Sequence, residues 1–279
     1  MSIQLGAYRL WAYVKHLFTS WNTGGEGIHS PYLFYLVRML VYDENRYYCW
    51  RDIERERHRL LASDEQIETI DYGTGGNETG EKVIRKVRDI ARGHLERREV
   101  GELLFRLTSY LGHKQERPLR IVELGTSLGI TTAYLAKADS RNRVTTYEGS
   151  PETVRIAREV WKRLGIANIE VVEGNIDETL PDSRAHDKIK GVDRKPIDIA
   201  YMDANHTEQA TLAYYERLVG QAEAHSIFIV DDIHHSPEMA RAWQTICERE
   251  EVTTTMDMYY FGLVFFDKHY LRRNYKLRI

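Results

Sequence analysis

From Leu119 onward the chain repeats a pattern that few folds can satisfy: a short apolar run, a turn, then a helical segment. "LRIVELG" precedes "ITTAYLAKA", and "NRVTTYEGS" precedes "PETVRIAREVWKRLG". "NIEVVEGN" comes next; then "IDIAYMDAN" precedes "TEQATLAYYERLVGQA", and "HSIFIVDDI" precedes "SPEMARAWQTICERE". Strand and helix alternate at βαβ spacing, which implies parallel strands covered by helices on both faces of one sheet. The end departs from the alternation. "VTTTMDMYYFGLVFF" holds two strand-like runs with no helix between them, as an antiparallel hairpin on one sheet edge would.

The first part of the chain reads differently. Residues 3–21 have helical character, "NTGGEGIHSP" is a loop leading to Pro31 at a helix start, and "YLFYLVRMLVY" continues as a second helix. "RDIERERHRLLA" is a third, with Ile53, Leu60 and Leu61 available for burial. The organisation that follows is a helical cap over 1–63, a connecting segment with a glycine-rich loop over 64–100, and an α/β domain over 101–279. Within the connecting segment "KVIRKVRDIAR" reads as a solvated helix face that buries Val83, Val87 and Ile90. "PDSRAHDKIKGVDRKP", 181–196, reads as a surface loop.

Composition bounds the functional classes. A length of 279 residues, 42% hydrophobic, suffices for one large domain or a core domain with an accessory piece. A net charge of -3 leaves no basic field to collect nucleic acid, so no nucleic-acid partner is expected. The two cysteines, Cys49 and Cys247, show neither CxxC nor zinc-ligand spacing, which suits a reducing cytoplasm. The N-terminal apolar positions are interrupted by Arg9, Lys15 and His16, unlike a signal peptide, and no stretch suits a transmembrane span. The aromatic segment "LGAYRLWAYVKHLFTSW" suits a helix packed on its own protein better than one lying on a membrane surface.

Two glycine-rich stretches compete as a ligand loop: "DYGTGG" (71–76) and "ELGTSLG" (123–129). A nucleotide loop needs strand, tight turn and helix in immediate succession, so that glycine admits the ligand to the backbone and the helix presents its free N–H groups. "RIVELGTSLGITTAYLA" has all three. Glu148, about twenty residues on at the end of the next strand, is placed to hold ribose hydroxyls. "DYGTGG" is followed by no strand in this reading and is left as a hinge, a loop over a pocket, or an ordinary tight turn. "GTSLG" lacks the G-x-G-x-x-G spacing of dinucleotide loops and the Lys of a P-loop, so a nucleoside without phosphates is the better guest.

On these residues the chain resembles class I S-adenosylmethionine (SAM)-dependent methyltransferases. "VELGTSLGITTAYLA" is similar to their first motif, "YEGS" to the second, "VVEGNIDETLP" to the third and "IAYMDANH" to the fourth. The resemblance is closest to O-methyltransferases of the catechol, caffeoyl-CoA and macrocin types, and it covers about 101–279. The cap resembles segments of uncharacterised methyltransferase-like proteins. The resemblance implies a Rossmann-like, seven-stranded, mostly parallel sheet with an antiparallel last strand, plus the N-terminal cap. It implies that Glu123, Gly125, Thr126, Ser127 and Gly129 surround the amino-acid part of SAM. Glu148, with Gly149 beside it, would bind the ribose, and Asn175 would reach the adenine.

The same resemblance suggests the chemistry. Methyl transfer needs a positioned, deprotonated nucleophile. Asp203 ends the fourth strand of the α/β domain, and Asp231 and Asp232 end the fifth. If those strands are neighbours, the three acids can gather around Mg²⁺ or a similar hard ion. Asp203 also suits the cofactor, and Asp231 or Asp232 suits a loop acid or helix cap. His206 matches the position of a general base in related enzymes and is read as that base ahead of a surface histidine at a helix start. His234 and His235 follow the acid pair, where they would line a substrate pocket or a solvated loop. The reading is of a small-molecule O-methyltransferase, with a homodimer as an admissible assembly; a macromolecular acceptor docked by the cap and a non-catalytic SAM-binding protein are the alternatives.

Overall fold

The structure, a computed structural model, describes residues 3–72, 80–182 and 195–278. Gly73–Gly76 of the first glycine loop, and 183–194 of the polar segment, lie outside the described residues. Two compact units divide the chain: 1–43 with 182–279, and 44–181. Helices α1 (Ile3–Thr19) and α2 (Pro31–Tyr42) belong to the first unit, and α3 (Tyr48–Leu61) to the second.

In the second unit, α3 leads into strand β1 (Gln66–Asp71), which pairs antiparallel with β2 (Glu81–Lys86), followed by α4 (Val87–His94) and α5 (Arg98–Gln115). The helix expected over "KVIRKVRDIAR" is therefore corrected: its first half is strand. Val87 and Ile90 are buried as expected, but Val83 is only half-buried. The six-residue register with β1 imposes the extended backbone, aided by the Thr69 hydroxyl donating to Val83 O at 2.9 Å. A strand thus does follow "DYGTGG", but it closes a hairpin and not a βαβ unit.

Then come β3 (Arg120–Leu124), α6 (Ile130–Lys137), β4 (Arg143–Glu148), α7 (Pro151–Arg163), β5 (Ile169–Glu173) and the short α8 (Ile176–Thr179). The three strands pair in parallel in the order β3-β4-β5. Trp50 and Ile53 of α3, Phe105 of α5, Tyr134 of α6 and Trp161 of α7 share one buried core. Tyr134 donates its hydroxyl to Glu54 Oε1 at 2.9 Å, joining α6 to a carboxylate on α3 that is itself bridged to Arg57.

The first unit continues with β6 (Ile199–Met202), α9 (Glu208–Val219), β7 (Ile227–Asp231), α10 (Pro237–Cys247), β8 (Thr254–Asp257), β9 (Phe261–Phe265) and β10 (Arg273–Lys276). Its strand order is β10-β8-β9-β7-β6. β6 and β7 are buried at every residue, as strands covered on both faces are. β9 runs antiparallel to both β7 and β8, as the hairpin reading expects. Five strands here and β3 to β5 of the second unit make eight beyond the β1–β2 hairpin, not seven, because the charged segment "RNYK" adds β10 in parallel beside β8. Asn22 covers the outer side of β10, its N–H donating to Lys276 O at 3.2 Å and its Oδ1 accepting the Lys276 N–H at 3.1 Å. Three helices open on Ser-Pro: Ser30 and Ser236 cap α2 and α10 through their hydroxyls, and Pro31, Pro151 and Pro237 occupy the first turn.

α1 departs from the expected packing. Its inward stripe is Ala12, His16 and Ser20, whereas Trp11, Phe18 and nearby Trp21 are 58%, 83% and 77% exposed. No helix among the described residues is long and apolar enough to cross a membrane. Cys49 and Cys247 are both buried and free.

Tyr134→Phe removes only the hydroxyl that reaches Glu54, leaving the ring in place. It should lower stability by about 1–3 kcal/mol, read from the urea midpoint by circular dichroism; an unchanged midpoint would show that this bond does not secure α3.

Candidate active site

The second unit builds a cradle after β3. Gly125 and Gly129 turn the chain at φ of 92° and 78°, with Ser127 between them at 47°. The Gly125 and Thr126 amides both donate to Tyr147 O, at 3.0 and 3.1 Å, fastening the loop to β4. Gly129 answers to packing as well as to backbone angle. A Cβ there would lie 2.6 Å from Trp161 Nε1 and 2.9 Å from Ala157 Cβ, and the Trp161 indole donates to Gly129 O at 2.9 Å.

Glu123 is fully buried, and its Oε2 accepts the hydroxyls of Thr132 at 2.5 Å and Thr146 at 2.6 Å. Thr146 also meets the Thr126 hydroxyl at 2.6 Å. Glu123 and Thr126 thus hold the loop from inside. Their side chains are placed in the fold's interior, because a buried carboxylate needs donors and these hydroxyls are the ones within reach.

Glu148 marks the end of β4. Its Oε2 accepts the Ser127 amide at 2.9 Å and its Oε1 the Ser150 amide at 3.0 Å. A carboxylate offers about four acceptor sites, so two amides leave capacity for a pair of hydroxyls. The Ser127 and Ser150 hydroxyl oxygens are buried with no hydrogen-bond partner among the described residues. A carboxylate flanked by two unanswered hydroxyls fits a polyhydroxyl, amine- and carboxylate-bearing ligand such as SAM. Gly149 has a further constraint: a Cβ would lie 2.5 Å from the Tyr72 ring, so the aromatic residue of "DYGTGG" sits against the "YEGS" turn. Asn175 is the N-cap of α8, its side-chain oxygen accepting the Asp177 amide at 3.0 Å.

The first unit builds an acidic centre. The register of β6 with β7 ends at Met202 and Val230, which places Asp203 and Asp231 next in line on adjacent strands. Their carboxyl groups hydrogen-bond each other, and burial pushes the Asp203 carboxyl above its ordinary range against the pull of His206. Two acids in contact have to share a proton or a cation. Asp232 sits in the left-handed region at φ 53°, as does Asn205 at 43°, and such backbone concentrates at functional sites. Burial raises the Asp232 carboxyl most among single influences, yet the His235 hydrogen bond and the charges of His206, His235 and Arg9 hold it below the ordinary value.

His206 lies between the acids, Nε2 3.3 Å from Asp203 and Nδ1 3.9 Å from Asp232. His235 is stacked on it at 5.8 Å and places Nδ1 3.0 Å from Asp232. Arg9 of α1 contacts the His235 ring at Nε2 and donates from Nε to the His235 carbonyl at 3.0 Å. With Nε2 accepting from a guanidinium, Nδ1 of His235 is the donor to Asp232. His234 turns elsewhere, its Nε2 2.9 Å from Asp257. The structure therefore brings Asp203, Asp231, Asp232, His206 and His235 together and separates His234 from them. Arg9 was missed: in sequence it only interrupts an apolar run, and it lies 226 residues from its partner.

The comparisons agree with this architecture. Residues 122–233 match the family model described as a methyltransferase domain. No curated protein matches the sequence. Among solved structures, the O-methyltransferase from Bacillus cereus in complex with S-adenosylhomocysteine is 17% identical at a TM-score of 0.53, over 80% of this chain and 93% of that one. TomG from Streptomyces achromogenes, an O-methyltransferase involved in tomaymycin synthesis and solved with SAM, is 19% identical at a TM-score of 0.50, over 62% and 82%. The match makes residues 122–233 a methyltransferase domain, and the two solved structures share the Rossmann-like fold seen here.

Gly129→Ala adds a methyl group where both the backbone angle and the Trp161 contact oppose it. The variant should lose about 2–4 kcal/mol in urea unfolding followed by tryptophan fluorescence. Wild-type stability would mean that α7 moves aside freely.

Proposed function

We propose that the protein methylates a hydroxyl group of a small molecule, with SAM as donor. The observation that carries this reading is the cluster of Asp203, Asp231, Asp232 and His206 at the ends of two adjacent strands. A binding protein needs no such concentration of acids and base; a methyltransferase acting on a neutral hydroxyl does.

The roles follow from the chemistry of each group. Glu148 takes both ribose hydroxyls, one on each oxygen, while Ser127 and Ser150 offer their hydroxyls to the rest of the cofactor. Gly149 keeps the turn thin, and the Tyr72 ring beside it supplies an apolar wall. His206 receives the acceptor's proton at a ring nitrogen, and Asp203 and Asp232 stabilise the imidazolium that forms. The hydroxyl oxygen then displaces the sulfonium methyl in line, and neutral S-adenosylhomocysteine leaves. The oxygens of Asp203, Asp231 and Asp232 also suit a hard divalent ion such as Mg²⁺. Bound there, it would lower the hydroxyl's pKa and neutralise the crowded acids.

A macromolecular acceptor, or a second copy of the chain, draws support from the exposed Trp11, Phe18 and Trp21 of the α1 region. Transfer of labelled methyl to protein fractions, with none to a panel of small phenols and alcohols, would favour that reading over the first.

Calorimetry should detect S-adenosylhomocysteine and no NAD. Glu148→Ala should weaken the former by about 2–4 kcal/mol, and unchanged affinity would displace the ribose site from Glu148. With an acceptor identified by a metabolite screen, His206→Ala should slow turnover roughly 10²–10⁴-fold. EDTA should lower the rate, and Mg²⁺ or Mn²⁺ should restore it. Asp232→Ala should lose turnover while keeping S-adenosylhomocysteine affinity; full activity of Asp232→Ala in EDTA would remove the metal from this proposal.

A further inference from the structure

A second group of ligand-type side chains lies in the first unit and takes no part in the chemistry above. His16 comes from α1, His234 from the segment after β7, and Asp257 from the end of β8. One ring nitrogen of each histidine and a carboxylate oxygen of Asp257 lie within 4.8 Å of one another. His16 and Asp257 are buried, at 3% and 5% exposure.

The hydrogen bonds of His16 fix its protonation. Nε2 lies 2.9 Å from Leu277 O. A carbonyl can only accept, so Nε2 carries the proton. Nδ1 then has a bare lone pair in the neutral ring. It is buried without a hydrogen-bond partner among the described residues and lies 3.4 Å from Asp257 Oδ1. Nδ1 and the Asp257 oxygen therefore both present lone pairs toward the same place.

A ring nitrogen of His234 joins them, so two imidazoles and one carboxylate converge on a single point, as the ligands of a metal cation do.

We propose that His16, His234 and Asp257 bind a first-row transition-metal dication of the Zn²⁺ or Fe²⁺ kind, separate from any hard ion held by Asp203, Asp231 and Asp232. Two imidazoles and one carboxylate are a donor set that favours such ions over Mg²⁺. The supporting contacts are those a metal site needs. Leu277 O orients His16, the Tyr259 amide donates to Asp257 Oδ1 at 2.9 Å, and the Tyr259 ring stacks on His234 at 5.3 Å and 20°. The ion would staple α1 to β8 and to the segment after β7. This inference does not depend on the methyl acceptor or on methyl transfer.

The test uses the full chain freed of metal by chelator and dialysis. Co²⁺ should give visible ligand-field bands that saturate at one equivalent, and Zn²⁺ should displace it and raise the melting temperature. His16→Ala and His234→Ala, each confirmed as folded by circular dichroism, should lose the bands and weaken Zn²⁺ binding roughly 100-fold or more. Because buried His16 is the riskier replacement, partly exposed His234 supplies the second variant. Asp232→Ala should retain the Co²⁺ bands. Absence of bands in the unmodified protein overturns the proposal, as does loss of the bands in Asp232→Ala with retention in both histidine variants.

Discussion

A carboxyl group without access to water governs the second unit. A buried carboxyl group left without partners costs about 1–3 kcal/mol or more, and Thr132 and Thr146 both donate to Glu123. Those two hydroxyls come from α6 and β4, and the carboxylate from β3, so three elements are held at one point. Thr146 passes the constraint on to Thr126 in the loop. The path of the loop from Gly125 to Gly129, and with it the approach of the Ser127 amide to Glu148, depends on this interior network. The cradle is thus shaped by groups that do not themselves line it.

The acidic centre of the first unit follows related physics with a different outcome. Parallel pairing of β6 with β7 puts Asp203 beside Asp231 whatever the charges prefer, and Asp232 follows at once in a left-handed turn. Repulsion is offset by a run of donors: Arg9 to His235, His235 to Asp232, and His206 between Asp203 and Asp232. Such a network concentrates charge without cancelling it, as sites with perturbed carboxyl groups do.

α1 joins two chemical features through its periodicity. Arg9 and His16 are seven residues apart, two helical turns, and so share a face. One reaches His235 and the other Asp257. Tyr259 connects the two places, its hydroxyl donating to Arg9 O at 2.9 Å while its ring stacks on His234. The apolar residues that make α1 look like an ordinary packing helix are largely on its outside. The inward stripe is small or polar, so hydrophobicity alone points to the wrong face.

Local regularities made much of the protein legible. Apolar runs such as "RIVEL" and "IFIVD" announced buried strands, Ser-Pro pairs announced helix starts, and the strand–glycine–helix succession announced the turn at Gly125–Gly129. Each is a property of neighbouring residues, so a sequence window contains it. The extended conformation of "EKVIRK" came from its pairing with β1, and that of "RNYK" from β8, partners that no window contains. The inward turn of Glu123, the union of Arg9 with His235 and the meeting of His16, His234 and Asp257 depend on where a buried charge finds its donors. The sequence by itself determined the alternating α/β fold and the residues at its strand ends; tertiary structure alone decided which of those charges meet, because desolvation and hydrogen bonding act between groups up to 261 residues apart.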